Sequence, residues 1–216
     1  MILAAGRGER LKPLTDLRPK ALCTVHNIPL IEYHVMNLAQ AGIKRIIINH
    51  AYLGGQIRQH LGHGGRWNLE IIYAPEPPGG LETGGGIVNA LPLLGELPFL
   101  TVNADIFTDY DFASLRLPTR SSAHLILVNK PDYSEQGDFG LTQQHQLDNN
   151  NRQYTFAGVA CYHPKLFKNN TPGRYSVTPI LRQLATDKHA TGEIYTGIWF
   201  DIGTPERLLR AQGMLD

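Results

Sequence analysis

A short apolar stretch, Met1 to Ala4, runs directly into Ala5-Gly6-Arg7-Gly8-Glu9-Arg10-Leu11-Lys12-Pro13-Leu14-Thr15-Asp16-Leu17-Arg18-Pro19-Lys20, and this junction constrains the fold more than any other part of the chain. Four apolar or small residues suit a buried strand, and two glycines one residue apart let the backbone turn sharply off its end. The loop then collects Arg7, Arg10, Lys12, Arg18 and Lys20, a field that Glu9 does not cancel. Bare backbone N–H groups with fixed cations behind them suit a polyphosphate, whose charge needs many donors and close approach.

Two common phosphate loops do not fit. A Walker loop needs Gly-Lys-Ser/Thr, whereas Gly8 is followed by Glu9-Arg10. A dinucleotide fingerprint needs a third glycine and an immediate helix; position 11 is Leu11, and Pro13 and Pro19 oppose a helix there.

The chain has 216 residues, enough for one α/β domain with a full core. Its net charge of +1 argues against a nucleic-acid or membrane-surface protein, because the cations are local rather than spread over a face. Cys23 and Cys161 are far apart and lack a C-x-x-C partner, as expected of reduced thiols. No apolar run approaches the roughly 18 residues of a membrane span, and the start lacks the charged and apolar regions of a signal peptide. These features predict a cytoplasmic protein that binds neither membrane nor nucleic acid.

Apolar strands and amphipathic helices alternate through the first part. Strands are expected at Met1–Ala4, Arg45–Asn49, Leu69–Tyr73, Phe99–Asn103 and His124–Asn129, and helices at Leu30–Ala41, Gly55–Leu61 and Gly86–Leu91. Ile46-Ile47-Ile48 is apolar on both faces, as in a central parallel strand. The order predicts an α/β fold: a doubly wound, mostly parallel, Rossmann-like sheet with functional loops at the strand carboxyl ends. After about residue 130 the rhythm breaks. Asp148-Asn149-Asn150-Asn151-Arg152 reads as an exposed hairpin turn, followed by a strand at Tyr154–Tyr162, a helix at Val177–Ala185, a strand at Ile198–Asp201 and a helix at Pro205–Met214. We read a single domain, 1–216, comprising a nucleotide-binding core (1–129), a substrate-facing insertion on the same sheet (130–200) and a closing helix (201–216). No hexapeptide repeat occurs.

Two carboxylates stand just past apolar strands, Asp105 in Asn103-Ala104-Asp105 and Asp201 in Trp199-Phe200-Asp201-Ile202-Gly203-Thr204-Pro205. Either alone suits a turn. Together, beside a polyphosphate loop, they suit Mg²⁺, which takes one or two protein carboxylates and leaves positions for phosphate and water. Pro75-Glu76-Pro77-Pro78-Gly79-Gly80-Leu81-Glu82-Thr83-Gly84-Gly85-Gly86 is held extended by prolines at one end. At the other end its glycines would let backbone approach a flat ligand before a helix begins. The nine histidines form no metal-binding spacing; His60 and His63 suit the surface, and His34 and His50 either packing or solvent.

Leu3, Ala4, Ala5, Gly6, Gly8, Arg10, Leu11, Pro13, Leu14, Thr15, Pro19 and Lys20 match the opening of the sugar-1-phosphate nucleotidyltransferases, and the chain resembles that family along essentially its whole length. The resemblance implies transfer of a nucleotidyl group from a nucleoside triphosphate to a sugar 1-phosphate. It makes Asp105 and Asp201 the two magnesium aspartates, and Ala4, Ala5, Gly6, Gly8, Glu9, Arg10 and Lys20 nucleotide-binding. Arg10 would act on the β,γ-phosphates and Lys20 between the two substrates' phosphates. It also places base reading in the Pro75–Gly86 loop, at Glu76, Gly80 and Glu82, where a carboxylate accepting a uracil N3–H would favour UTP. Asn103, Asp138 in Gly137-Asp138-Phe139-Gly140, and Gly158 in Phe156-Ala157-Gly158-Val159 would meet the sugar, although Asp138 and Gly158 equally suit hairpin geometry. The Glu-Lys-Pro common in hexose-specific branches is absent between Asp148 and Gly158. That departure, the short length, and the stretches Pro29–His34, Ile48–Gly54, Leu81–Gly86 and Thr108–Phe112 resemble the branch that uridylylates N-acetylmuramate 1-phosphate in cell-wall sugar recycling. Thymidylyl or uridylyl transfer to glucose 1-phosphate and guanylyl transfer to mannose 1-phosphate are the alternatives. A monomer or small homo-oligomer is expected. Such proteins usually carry a few residues before the first strand, whereas here the first strand is expected from Met1.

Overall fold

The computed structural model describes residues 1–213. The chain forms β1 (Ile2–Leu3), α1 (Leu14–Leu17), β2 (Thr24–Val25), β3 (Ile28–Pro29), α2 (Leu30–Gln40), β4 (Arg45–His50), α3 (Gly54–Leu61), β5 (Glu70–Pro75), α4 (Glu82–Leu94), β6 (Phe99–Asn103) and β7 (Ile106–Thr108). It continues with β8 (Ala123–Asn129), β9 (Gly140–Leu141), β10 (Leu147–Asp148), β11 (Tyr154–Tyr162), α5 (Thr178–Thr186), β12 (Ala190–Ile194), β13 (Trp199–Asp201) and α6 (Pro205–Gln212). Met214, the expected end of the last helix, lies outside the described residues. Among the described residues no helix is long and apolar enough to cross a membrane.

Seven strands make one sheet in the order β12-β8-β11-β6-β1-β4-β5, mostly parallel as the alternation predicts. β11 runs antiparallel to both its neighbours; the other pairings in this sheet are parallel. Period-two alternation divides the core between the two faces. Ile46 and Ile48 pack with Ile31, Val35 and Leu38 of α2 and Ile57 of α3, while Ile47 packs on the opposite side with Ile87 and Val88 of α4. A third, smaller core joins Leu11 of the N-terminal loop to Phe107, Ile202 and Leu208 of α6. Leu11 is fully buried, which contributes about 1.5–3 kcal/mol toward holding an otherwise polar loop in place.

The register positions the site. Leu3 is level with Asn49 on β4 and with Asn103 on β6, so the carboxyl ends of three adjacent strands open at one height. The structure corrects three expectations. The prolines do not exclude a helix between them: Pro13 immediately precedes the one-turn α1. Gly84, Gly85 and Gly86 belong to α4, which starts four residues before the expected Gly86. β12, a strand containing Gly192 and Glu193, and the small β2–β3 and β9–β10 ribbons were not anticipated.

Candidate active site

A cavity of about 270 Å³ opens at these strand ends, with Ala4, Ala5, Gly6, Lys20, Gly80, Glu82, Asn103 and Asp105 among its lining. Its base is fixed by a buried relay. The Ala4 N–H donates to Asn49 Oδ1 (2.9 Å), and Asn49 Nδ2 donates to Glu76 Oε1 (2.6 Å). The other carboxylate oxygen, Oε2, accepts the Leu81 N–H at 2.7 Å. Asn49 is 2 % exposed, so removing one of its partners leaves a buried amide group unpaired at a cost of about 1–3 kcal/mol. Glu76 therefore shapes the Pro75–Leu81 loop with both oxygens committed. Asn49 lines the cavity, but its bond to Glu76 spans 27 residues and leaves no spacing motif.

The basic loop is folded by its own side chains. Arg7 donates to the Thr15 carbonyl (2.8 Å) and stacks on Tyr52 (3.6 Å), and Thr15 Oγ1 donates to the Gly8 carbonyl (2.8 Å). Gly8 has φ +70°, and a Cβ there would stand 3.0 Å from both Lys20 and Thr15. Glu9 lies outside the cavity lining, paired with Lys12 (2.6 Å) and Arg7 (3.4 Å), and its carboxyl is held below the usual range chiefly by the Lys12 hydrogen bond. Lys20, whose side chain is 12 % exposed, is paired with Asp105 Oδ2 across the cavity.

β7 and β13 form a two-stranded antiparallel ribbon that brings the two aspartates to one end. Asp201 is in register with Ile106, and the Ile202 N–H donates to the Asp105 carbonyl (2.9 Å). Asp201 Oδ2 accepts from Arg207 Nη1 at 2.8 Å. A Cβ on Gly203 would lie 2.9 Å from Arg207 Nη1, 3.1 Å from Arg10 Nη2 and 3.3 Å from Asp201 Oδ1, so two guanidiniums and a carboxylate converge beside that glycine. Arg10 and Asp201 thus stand beside the main cavity rather than in its lining. The Arg207 guanidinium also lies 3.6 Å over the ring of Tyr133. Arg207 and Tyr133 escaped the sequence reading, although Arg207 follows the Gly203-Thr204-Pro205 turn by only two residues.

The opposite wall is the start of α4. Glu82 adopts φ +60°, a conformation that costs an L-residue order 1 kcal/mol and is tolerated where surrounding contacts impose it. It lines the cavity and pairs with Arg174 (3.3 Å), also in the lining and not anticipated from sequence. The helical glycines serve close packing. The N–H groups of Gly84 and Gly85 donate to the Tyr175 carbonyl (3.0 and 3.1 Å), and a Gly85 Cβ would sit 1.9 Å from the Gly173 carbonyl oxygen. The crossing segment 173–175 therefore uses N–H groups that α4 cannot bond internally.

Asn103 lines the cavity, but Asp138 and Gly158 do not. Asp138 Oδ2 accepts the Phe156 N–H (2.8 Å), bracing β11 where its register with β8 shifts. Gly158, at φ +74°, leaves room for the Asn103 amide: a Cβ there would approach Asn103 Nδ2 to 2.6 Å. Of the histidines, His34, His50 and His124 are buried, and desolvation pushes His34 down to about 4. Cys23 and Cys161 are buried free thiols.

The arrangement gathers Lys20, Arg7 and Arg174 in one cavity, with the Asp105 carboxylate in its lining and Asp201 beside it. The chain is 46 % identical to the N-acetylmuramate alpha-1-phosphate uridylyltransferase of Neisseria meningitidis, over 99 % of this chain and 96 % of that one. It is 30 % identical to the Caulobacter vibrioides protein of the same name, over 100 % and 96 %. A Bacillus anthracis protein solved in complex with sucrose superposes with a TM-score of 0.86 at 22 % identity, covering 99 % of this chain and 93 % of that one, and shares the fold. The pattern of the family described as Nucleotidyl transferase matches residues 1–215. The chain belongs to the nucleotidyl transferase family.

Proposed function

We propose that the chain transfers the uridylyl group of UTP to N-acetylmuramate 1-phosphate, giving UDP-N-acetylmuramate and pyrophosphate in cytoplasmic cell-wall sugar recycling. The observation that carries this reading is the 46 % identity to the Neisseria enzyme across nearly the full length of both chains. A phosphate oxygen of the acceptor attacks the α-phosphorus in line, and the bond from that phosphorus to the β-phosphate oxygen breaks. The nucleophile is already an anion, so no general base is required. The obstacle is bringing two polyanions together, and the chain meets it by positioning and charge. Lys20 serves the α-phosphate and the attacking phosphate as a compact cation, and Arg10 faces the departing β,γ-phosphates. Glu82 is the loop acid on the cavity and reads the uracil N3–H, while Glu76 holds the loop. Asn103 meets the acceptor, and residues 130–200 act behind it: Asp138 braces β11, and the bare Gly158 leaves room for the Asn103 amide.

The residues present fit a small hard cation. Asp105 and Asp201 would hold Mg²⁺ as two oxygen ligands at one end of a rigid ribbon, leaving positions for phosphate and water. Bound there, the ion would neutralise and align phosphate oxygens. The reading is tested by pyrophosphate release with UTP, CTP, dTTP and GTP, each against N-acetylmuramate, N-acetylglucosamine, glucose and mannose 1-phosphates. UTP with N-acetylmuramate 1-phosphate should exceed every other pair in kcat/KM. Equal turnover of UTP and CTP would remove the Glu82 assignment, and preference for another sugar would overturn the reaction assigned.

A further inference from the structure

We propose that Arg207 has two alternating partners, the Asp201 carboxylate in the metal-free protein and the nucleotide's phosphates once Asp201 binds a divalent ion. The inference rests on the assignment of Asp105 and Asp201 as metal carboxylates. In the free chain each of these acids already has its own cation: Lys20 on Asp105 and Arg207 on Asp201, the latter at 2.8 Å. A divalent ion shared by the two acids competes with both cations for the carboxylate charge, and a cation it displaces then finds another anion or loses its pairing.

The surroundings of Arg207 give its guanidinium a short path to one. Its Nη1 and the Nη2 of Arg10 both lie about 3 Å from where a Cβ on Gly203 would stand, so the two guanidiniums converge on one narrow space that the bare glycine keeps free, beside the Asp201 carboxylate. Arg10 is exposed and has no ion-pair partner among the described residues, so with Asp201 engaged elsewhere this space holds two uncompensated positive charges. Two converging planar guanidinium forks are suited to the tetrahedral, multiply charged end of a triphosphate. The Tyr133 ring, its centroid 3.6 Å from the guanidinium carbon, supports the group from one side. Arg207 also sits in the first turn of α6, where Thr204 caps its N–H at 3.4 Å. The helix dipole disfavours a cation at that end. Asp201 offsets this while it is paired; a phosphate does so afterwards.

Metal and nucleotide binding are therefore coupled through one side chain, and the coupling has a sign that a purely structural role would not produce. Mn²⁺ binding to the nucleotide-free protein, followed by electron paramagnetic resonance, measures the first half; UTP affinity at saturating Mn²⁺ measures the second. Arg207→Gln removes the competitor for Asp201 and should tighten Mn²⁺ by about tenfold while weakening UTP by a similar factor, within the usual range of such couplings. Arg207→Lys keeps a charge beside Asp201 but loses the planar fork, so Mn²⁺ affinity should stay near the parent value while UTP still weakens. This second variant carries the test if Arg207→Gln fails to fold. Unchanged or weaker Mn²⁺ binding in Arg207→Gln, or undiminished UTP affinity in either variant, overturns the proposal. Asp201→Asn separates it from its foundation. If that change leaves Mn²⁺ affinity intact, the metal assignment fails; if it weakens Mn²⁺ while Arg207→Gln does not tighten it, the exchange of partners alone fails.

Discussion

Lys20 reaches the cavity because Pro19 holds the chain extended before it and the bare Gly8 leaves room for its stem; the Gly8 Cβ position lies 3.0 Å from Lys20 Cβ. Asp105 holds its ammonium at the cavity, where it can pass to phosphate when that carboxylate takes up a metal ion. Lys20→Met should lower kcat by ~10²–10³, as removing one preorganised electrostatic group does, with a smaller change in KM for UTP. Steady-state kinetics decide it, and a kcat within threefold of the parent enzyme would remove Lys20 from the reacting centre. Lys20 and Asp105 were legible in the sequence because each is a charge placed immediately after an apolar strand or its loop. Glu76 and Glu82 were not separable there, since both are acids in a proline- and glycine-rich loop. What distinguishes them is the Asn49 amide arriving from another strand to occupy Glu76.

Elements were legible where period and length agreed, as in α2, whose apolar positions Ile31, Val35 and Leu38 are all buried. They were illegible where tertiary packing overrides local preference. Three successive glycines read as backbone left bare for a flat ligand, with a helix expected only from Gly86, yet Gly84 and Gly85 are already helical because segment 173–175 crosses directly over them. The β2–β3 turn, with His26 and Asn27 both at positive φ, lacks the Asn-Gly or Asp-Gly signal that marks such hairpins. Packing at α4 makes a prediction with a built-in control. Gly85→Ala would place a methyl group against the Gly173 carbonyl and should destabilise the protein by about 1–3 kcal/mol, lowering Tm by roughly 2–4 °C per kcal/mol. Gly55→Ala in α3 meets nothing within 4 Å and should be stabilising by up to about 1 kcal/mol, because alanine loses less backbone freedom in a helix. Calorimetry reads both, and the two Tm shifts should have opposite signs. Equal shifts would mean that the crossing segment yields without cost.

For the whole molecule, the alternation of strands and helices predicts a doubly wound sheet, but nothing local in Tyr154–Tyr162 announces that β11 reverses direction between β6 and β8. Strand direction is set by where the chain must return, and the insertion before β11 is what brings it back. The same long-range assembly buries His34 of α2 at 1 % exposure, its ring 6.3 Å from that of Phe112. Burial dominates there and pushes its pKa from 6.5 to about 4, against smaller opposing effects from the Ile106 and Asn103 backbone and the Asp105 charge. The folded chain keeps this imidazole neutral, whereas the unfolded chain protonates it below pH 6.5. Its contribution is therefore intact above about pH 6.5 and is lost progressively as pH falls toward 4. The full difference is about 3 kcal/mol. His50 and His124, also lowered by burial, act in the same direction. Urea unfolding between pH 7 and 4 should show stability falling through this window, and His34→Leu should flatten the fall by about 2–3 kcal/mol even if it changes stability at pH 7. A parallel acid profile in that variant would show that His34 protonates without opening the core, and that the acid sensitivity of the fold resides elsewhere.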